Sequence, residues 1–167
     1  ILTLFWEQLR FARPALLSWF DEYIAKAKKS EHTVLHEALT VIAKDLQTVR
    51  QELLQKWAMH DNIFYRLTVV KVLTKLITSH QYVQEIINLL KSWSAQRNNL
   101  ALQWTATVAL GSEIGIFLYP NTFTYLQKSY LSNPKALRHP AKQSFTNLLK
   151  LGSLNVDYEE AFYQQFG

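Results

Sequence analysis

Two histidines come closest to a metal site in this chain. His32 and His36 lie four residues apart, so on a helix both imidazoles would face the same side and could share a metal ion. No third ligand is evident beside them, the His-Glu-x-x-His arrangement is absent, and the chain contains no Cys. No catalytic triad order, glycine-rich phosphate loop or carboxylate pair stands out either. We therefore predict that the protein is not an enzyme and holds no metal or cofactor.

Basic residues are the second group with a recognisable chemistry. Lys71 and Lys75 are one helical turn apart, and further basic residues could extend them into a stripe that contacts phosphate groups: Arg97, Lys135, Arg138 and Lys142. Residues 62–156 hold ten Lys or Arg and two acids, whereas residues 157–167 hold three acids and no base. This distribution favours an anionic partner, either an acidic protein surface or nucleic acid. The alternative is a solvated basic surface without a partner.

The elements that would carry these residues are helices. The chain has 167 residues, 49% of them hydrophobic, and only four Gly and four Pro, which favours long helices and one domain with a sizeable core. The most apolar stretch near the start carries three charged residues and Pro14, so neither a membrane span nor a signal peptide is predicted. The lack of Cys fits a reducing compartment, and we expect a cytoplasmic protein. Because the chain begins at Ile1 and not at Met, we expect a piece of a longer protein.

Large aromatic residues recur at a regular spacing. Trp57, Trp93 and Tyr130 are 36 and 37 residues apart, and each is followed by a short polar break and an apolar run of helical period. A period near this length is typical of stacked helical hairpins. Because an aromatic residue that repeats with the period usually packs inside the hairpin, we predict that Trp57 and Trp93 lie in the core.

The helices that follow these aromatic residues can be aligned. Nine-residue segments that begin at Tyr65, Leu102 and Leu137 carry small or apolar residues at the same places, and a weaker copy begins at Leu35. A helix predicted from Leu100 to Leu118 is apolar almost all round, so we expect it at the centre of the stack. Its two glycines, Gly111 and Gly115, are expected to allow close helix–helix approach. The last copy contains Pro140, where we expect its helix to begin.

The aligned segments resemble the second helix of HEAT repeats, whose pattern is Val-Arg-x-x-Ala-Ala-x-Ala-Leu-Gly. The stretch Ala109-Leu110-Gly111 looks like the end of that pattern, and the resemblance covers roughly residues 33–151. It implies an all-α superhelix, a HEAT-like solenoid of about three to four helical hairpins. Atypical helices would occupy residues 1–31, the repeats residues 32–151, and a short capping helix residues 152–167.

The resemblance also assigns roles to single residues. The Asp–Arg ladder of the family could survive only around Asp61 and Arg66, which would make Arg66 structural, because Gln103 stands where the family has Arg. Trp104, the next residue, is not at a small packing position of the pattern. It could be a part-exposed interaction anchor on the inner side of the superhelix, or be buried against the next repeat.

Two kinds of function follow from these residues. We expect a binding or scaffold domain that presents a curved helical surface to a protein partner or to another domain of its own chain. Its candidate binding residues are Trp104, Lys71, Lys75, Arg97 and Arg138. The alternative is a nucleic-acid-binding protein with a basic groove. A DNA-glycosylase-like enzyme is the least favoured reading, because only Trp57 and Asp61 would match the Trp and Asp that such HEAT-like enzymes use.

Overall fold

The structure is a computed structural model that describes residues 13–26, 32–118, 121–132, 135–151 and 164. The described residues form no β-strand; they form nine α-helices and a π-helical turn at Val49–Leu53, which confirms the predicted all-α class. None of these helices combines the length and the apolar character that crossing a membrane requires. The helices are α1 Arg13–Lys26, α2 His32–Asp45, α3 Leu54–Ala58, α4 Ile63–Ile77, α5 His80–Ala95, α6 Leu100–Leu110, α7 Glu113–Phe117, α8 Asn121–Ser132 and α9 Lys135–Lys150.

The chain divides into two compact units, Ile1–Trp57 and Ala58–Gly167. In the first unit, the fully buried ring of Trp57 packs edge-to-face on Phe20 of α1. The indole N–H of Trp57 donates a hydrogen bond to the Asp21 carboxylate, which also accepts one from the Lys56 ammonium. Asp21 therefore joins α1 to the residues around Trp57. The predicted capping helix at residues 152–167 lies outside the described residues, apart from Gln164.

In the second unit, α6 is the central helix, as predicted. It contacts α4, α5, α7, α8 and α9, because its side chains are apolar or small on every side. Helices α4 and α6 run parallel: Arg66 meets Trp104 of α6, and Thr74 meets Ser112 just after the end of α6, both at an offset of 38 residues. Helix α9 runs in the same direction along α6 and the following α7, because Thr107 of α6 meets Ser144 and Gly115 of α7 meets Leu148. We call α4, α6 and α9 the row helices; α5 and α8 are the first helices of the hairpins that end in α6 and α9.

Burial along the row helices follows the sequence alignment. Five aligned positions are buried in all three helices: Tyr65, Leu102 and Leu137; Thr68, Thr105 and Pro140; Val69, Ala106 and Ala141; Val72, Ala109 and Ser144; Leu73, Leu110 and Phe145. A sixth is buried in two of them, at Val70 and Thr107, whereas Lys142 of α9 is exposed. The small residues in the pattern therefore mark where neighbouring helices pack.

Two predicted helix boundaries are wrong. The helix expected at 100–118 is broken after Leu110, because the Ser112 hydroxyl accepts the Ile114 N–H at 3.3 Å and caps a new helix. Helix α9 begins at Lys135 and not at Pro140, which lies buried inside it. Proline removes only one hydrogen bond, the one to the carbonyl four residues earlier, and that residue, Ala136, is exposed and open to water.

Candidate interaction surface

Exposed apolar side chains gather at the N-terminal halves of α4 and α6. Ile63, Phe64 and Leu67 of α4 are 43%, 48% and 37% exposed, and Leu100 of α6 is 43% exposed. Because the two helices are parallel neighbours offset by 37 to 38 residues, this register puts Leu100 at the level of Ile63 and Trp104 at the level of Leu67. We call the surface formed by Ile63, Phe64, Leu67, Leu100 and Trp104 the row face. Exposed apolar residues grouped on two neighbouring helices are typical of an interaction site.

Trp104 is half-buried and is covered on one side by a cation. The guanidinium carbon of Arg66 lies 4.5 Å from the centroid of the Trp104 ring. A cation over an indole face is a favourable contact, worth about 0.5–1 kcal/mol at partly exposed sites. Trp104 is therefore neither fully buried against the next repeat nor freely exposed, and it belongs to the row face together with Arg66.

Arg66 does not form an ion pair with Asp61. Partial burial lowers the pKa of Arg66, and the negative charge of the Asp61 carboxylate partly offsets this. The guanidinium stays charged at neutral pH because the ordinary pKa of Arg lies far above neutral pH. Asp61 thus acts on Arg66 through space, and the direct contact of Arg66 is with Trp104.

The predicted basic stripe is interrupted. Lys71 and Lys75 are both exposed on α4, and Lys135, Arg138 and Lys142 are exposed on α9. Arg97 is exposed in the turn before α6. Helix α6 lies between α4 and α9 and carries no charged residue at all. The bases therefore flank an apolar central helix and do not form a continuous track.

Gln103, at the place where the HEAT pattern has Arg, has a structural contact. Its side chain is buried and its amide donates a hydrogen bond of 2.8 Å to the carbonyl of Gln96, at the C-terminal end of α5. The same carbonyl also accepts the Asn99 N–H at 3.0 Å, so the Gln103 amide adds a second donor that ties α6 to the turn after α5.

Replacing Gln103 with Met tests this contact. Met has a similar volume and no donor, so we expect the free energy of unfolding to fall by about 1 kcal/mol. Chemical denaturation followed by circular dichroism measures the change. The matched control is Gln143→Met on α9, where the amide bonds to Asn147 on the exposed surface and the expected change is within about 0.5 kcal/mol. Equal losses in the two variants would contradict a structural role for Gln103.

The remaining candidates are placed as follows. Trp57 and Trp93 are fully buried, which confirms their predicted place in the core and leaves neither indole free to stack on a base. His36 is half-buried and the side chain of His32 lies outside the described residues. The described part of the chain contains no group of three residues that could hold a metal ion.

Sequence reasoning missed Ile63, Phe64 and Leu100 as surface residues. An apolar residue at the start of a helix looks the same in sequence whether it is covered or exposed. The alignment of the repeated segments could have indicated their exposure. Ile63 and Leu100 occupy the same place in consecutive segments, and that place is not one of the packing positions of the repeat.

Comparison of the chain with protein-family models, with curated proteins and with solved structures found no match.

Proposed function

We propose that the protein is a non-enzymatic binding domain whose row face docks a protein partner or another domain of the same protein. The observation that carries this proposal is the distribution of side chains over the row helices. An apolar centre on α4 and α6 is flanked by exposed bases on α4 and α9. Protein interfaces have this organisation, an apolar core with aromatic and Arg residues inside a polar rim.

A HEAT-like solenoid is the architecture we propose for the second unit. Two contacts of α4, one with Trp104 of α6 and one with Ser112 just after α6, share one offset of 38 residues, close to the sequence period of 36 to 37. In a solenoid each repeat packs on the next with the same displacement, so the contact offset equals the repeat length. The parallel order of α4, α6 and α9, with α5 and α8 as their hairpin partners, supports the same architecture.

Nucleic-acid binding is the second candidate, and charge is the observation in its favour. Helices α4 and α9 carry seven bases, and none of the three row helices carries an acid. Phosphate contacts require such an excess. However, the central helix is uncharged, and one face of the row-face indole is already occupied by Arg66. A single-strand binder needs open aromatic faces along a basic track, so the arrangement favours a protein partner.

A double variant in the row face separates the two candidates. A display library of random peptides of about 15 residues, long enough to cover a helical groove, is selected on the wild-type protein. We expect the recovered peptides to bind at least about tenfold more weakly to Leu67→Ser plus Leu100→Ser, because these side chains would form the apolar contact. Fluorescence anisotropy of labelled peptides measures the affinity. Both side chains are exposed, so the helical fold is expected to persist.

The control is Leu131→Ser, an exposed leucine on α8 that is not part of the row face. It is expected to leave peptide affinity unchanged. Failure to recover any peptide, or recovery of peptides that bind the double variant equally well, would contradict the proposed function. Binding of mixed-sequence DNA or RNA at low salt, with a steep salt slope that falls in Lys71→Ala plus Lys75→Ala, would instead support the nucleic-acid candidate.

A further inference from the structure

The guanidinium of Arg66 is held in position without an anionic partner. It lies over the Trp104 ring, with the guanidinium carbon 4.5 Å from the ring centroid. Its Nε atom is buried and has no acceptor among the described residues. The guanidinium also makes no ion pair within the part of the chain that the structure describes. A planar, charged and partly desolvated donor group thus lies at the edge of an apolar surface.

The aligned positions on the other row helices differ from Arg66. Gln103 of α6 is buried and its amide is used by the Gln96 carbonyl. Arg138 of α9 is exposed and lies on the far side of α6 from Arg66. Of the three, Arg66 combines positive charge, a contact with the Trp104 ring and a place next to Leu67 in a region where Leu67 and Leu100 are exposed.

The charge around the row face indicates what such a group would bind. None of the row helices carries an acid, and the nearest acidic residue along the chain, Asp61, acts on Arg66 through space without contacting it. A carboxylate matches the two parallel N–H donors of a guanidinium, and the pair is stronger where water is partly excluded. The neighbouring apolar residues would suit Leu or aromatic side chains on the same segment.

We propose that Arg66, supported by Trp104, binds a carboxylate of an acidic, amphipathic protein segment whose apolar side chains pack on Leu67, Leu100 and Trp104. This inference rests on the proposed function and names the chemistry of the partner. The carboxylate accepts two hydrogen bonds from the guanidinium, and no covalent step is involved. A nucleic-acid phosphate is the less favoured anion. Helix α6 is uncharged, so the next phosphate along a bound strand would find no cation there.

Selection of the same peptide library on wild-type protein and on Arg66→Gln tests the inference. Wild-type protein is expected to enrich peptides with Asp or Glu at a fixed spacing from two apolar residues. Selection on Arg66→Gln is expected to enrich peptides that keep the two apolar residues but have no acidic residue at that spacing. The matched control is Arg138→Gln, which removes an exposed Arg from the aligned position on α9. Selection on this variant is expected to enrich the same acidic peptides as selection on the wild-type protein.

A double-mutant cycle on one enriched peptide then measures the contact directly. Changing its acid to the amide is expected to weaken binding about tenfold to wild-type protein and to leave binding to Arg66→Gln unchanged. Arg66→Lys keeps the charge but not the planar fork, so it is expected to recover only part of the affinity.

The outcomes separate this inference from the proposed function. Peptides that bind the row face without an acid, or whose acid is not coupled to Arg66, would overturn the carboxylate assignment and leave the proposed function standing. Binding of single-stranded nucleic acid that is lost in Arg66→Gln would also overturn it. The absence of any row-face peptide would overturn both.

Discussion

Replacing Gly111 with Ala is expected to lower the free energy of unfolding by about 1–3 kcal/mol, although Ala is the better helix former by about 1 kcal/mol. The backbone of Gly111 has φ −84° and ψ 12°, which Ala adopts without strain. The reason for glycine is therefore space. A Cβ at this position would lie 2.6 Å from the Cα, Cβ and Oγ atoms of Ser144 on α9.

The clash falls on a part of α9 that cannot move independently. The Ser144 hydroxyl donates a hydrogen bond of 2.9 Å to the Thr107 carbonyl, and the side chain is buried. Because one of the clashing atoms is a main-chain Cα, a change of side-chain rotamer does not relieve the contact. Helix α9 must shift away from α6, and the packing between these helices is weakened.

Chemical denaturation of four proteins measures this effect: wild type, Gly111→Ala, Ser144→Gly and the double variant. Ser144→Gly removes two of the three clashing atoms, so Gly111→Ala is expected to be less destabilising in that background. Ser144→Ala is the control for loss of the hydrogen bond alone, about 1 kcal/mol. A Gly111→Ala protein as stable as wild type would contradict close packing of α6 and α9 at this point.

Close approach at Gly111 could be predicted from the sequence, whereas the end of the helix there could not. Glycine after an apolar helical run allows close packing, and the aligned pattern identified the neighbouring helix. The break depends on whether the Ser112 hydroxyl caps the following turn or the helix continues. The free-energy difference between these local alternatives is small, and tertiary packing decides between them.

The row face shows a second limit of sequence reasoning. Trp104 was identified because it lies outside the packing positions of the repeat. Its contact with Arg66 joins residues 38 positions apart, and it depends on the displacement between α4 and α6, which a periodicity alone does not give. Exposure of Ile63 and Phe64 has the same origin, because whether another helix covers them is a tertiary property.

Trp57 and Trp93 occupy equivalent places in the sequence period but are expected to respond differently to the same substitution. Both indoles are fully buried. The N–H of Trp57 donates to the Asp21 carboxylate, whereas the N–H of Trp93 has no acceptor within the described residues. The acceptor, Asp21, lies 36 residues before Trp57 in the sequence. The spacing of the tryptophans therefore does not reveal which of the two indoles is hydrogen-bonded.

Trp57→Phe and Trp93→Phe remove the same atoms from a buried site, so the loss of packing is similar in both. Trp57→Phe additionally removes a donor from a carboxylate, and a hydrogen bond to a charged group contributes about 1.5–3 kcal/mol. Trp93→Phe instead removes a buried donor that has no acceptor within the described residues. Removing it is favourable and offsets part of the stability that the variant loses through poorer packing. We therefore expect Trp57→Phe to be the more destabilising by about 2 kcal/mol.

Amide hydrogen exchange measures the loss of stability that each substitution causes. It is followed separately in residues 32–57 and 80–118, because the two tryptophans belong to different compact units. The control is Asp21→Asn, which keeps an oxygen acceptor but removes the negative charge that Lys56 also contacts. Trp57→Phe is expected to be less destabilising in the Asp21→Asn background than in the wild type, because the charge-assisted bond is already weakened there. Equal losses for the two tryptophans, or additivity of Trp57→Phe with Asp21→Asn, would show that the Asp21 carboxylate does not stabilise the first unit through Trp57.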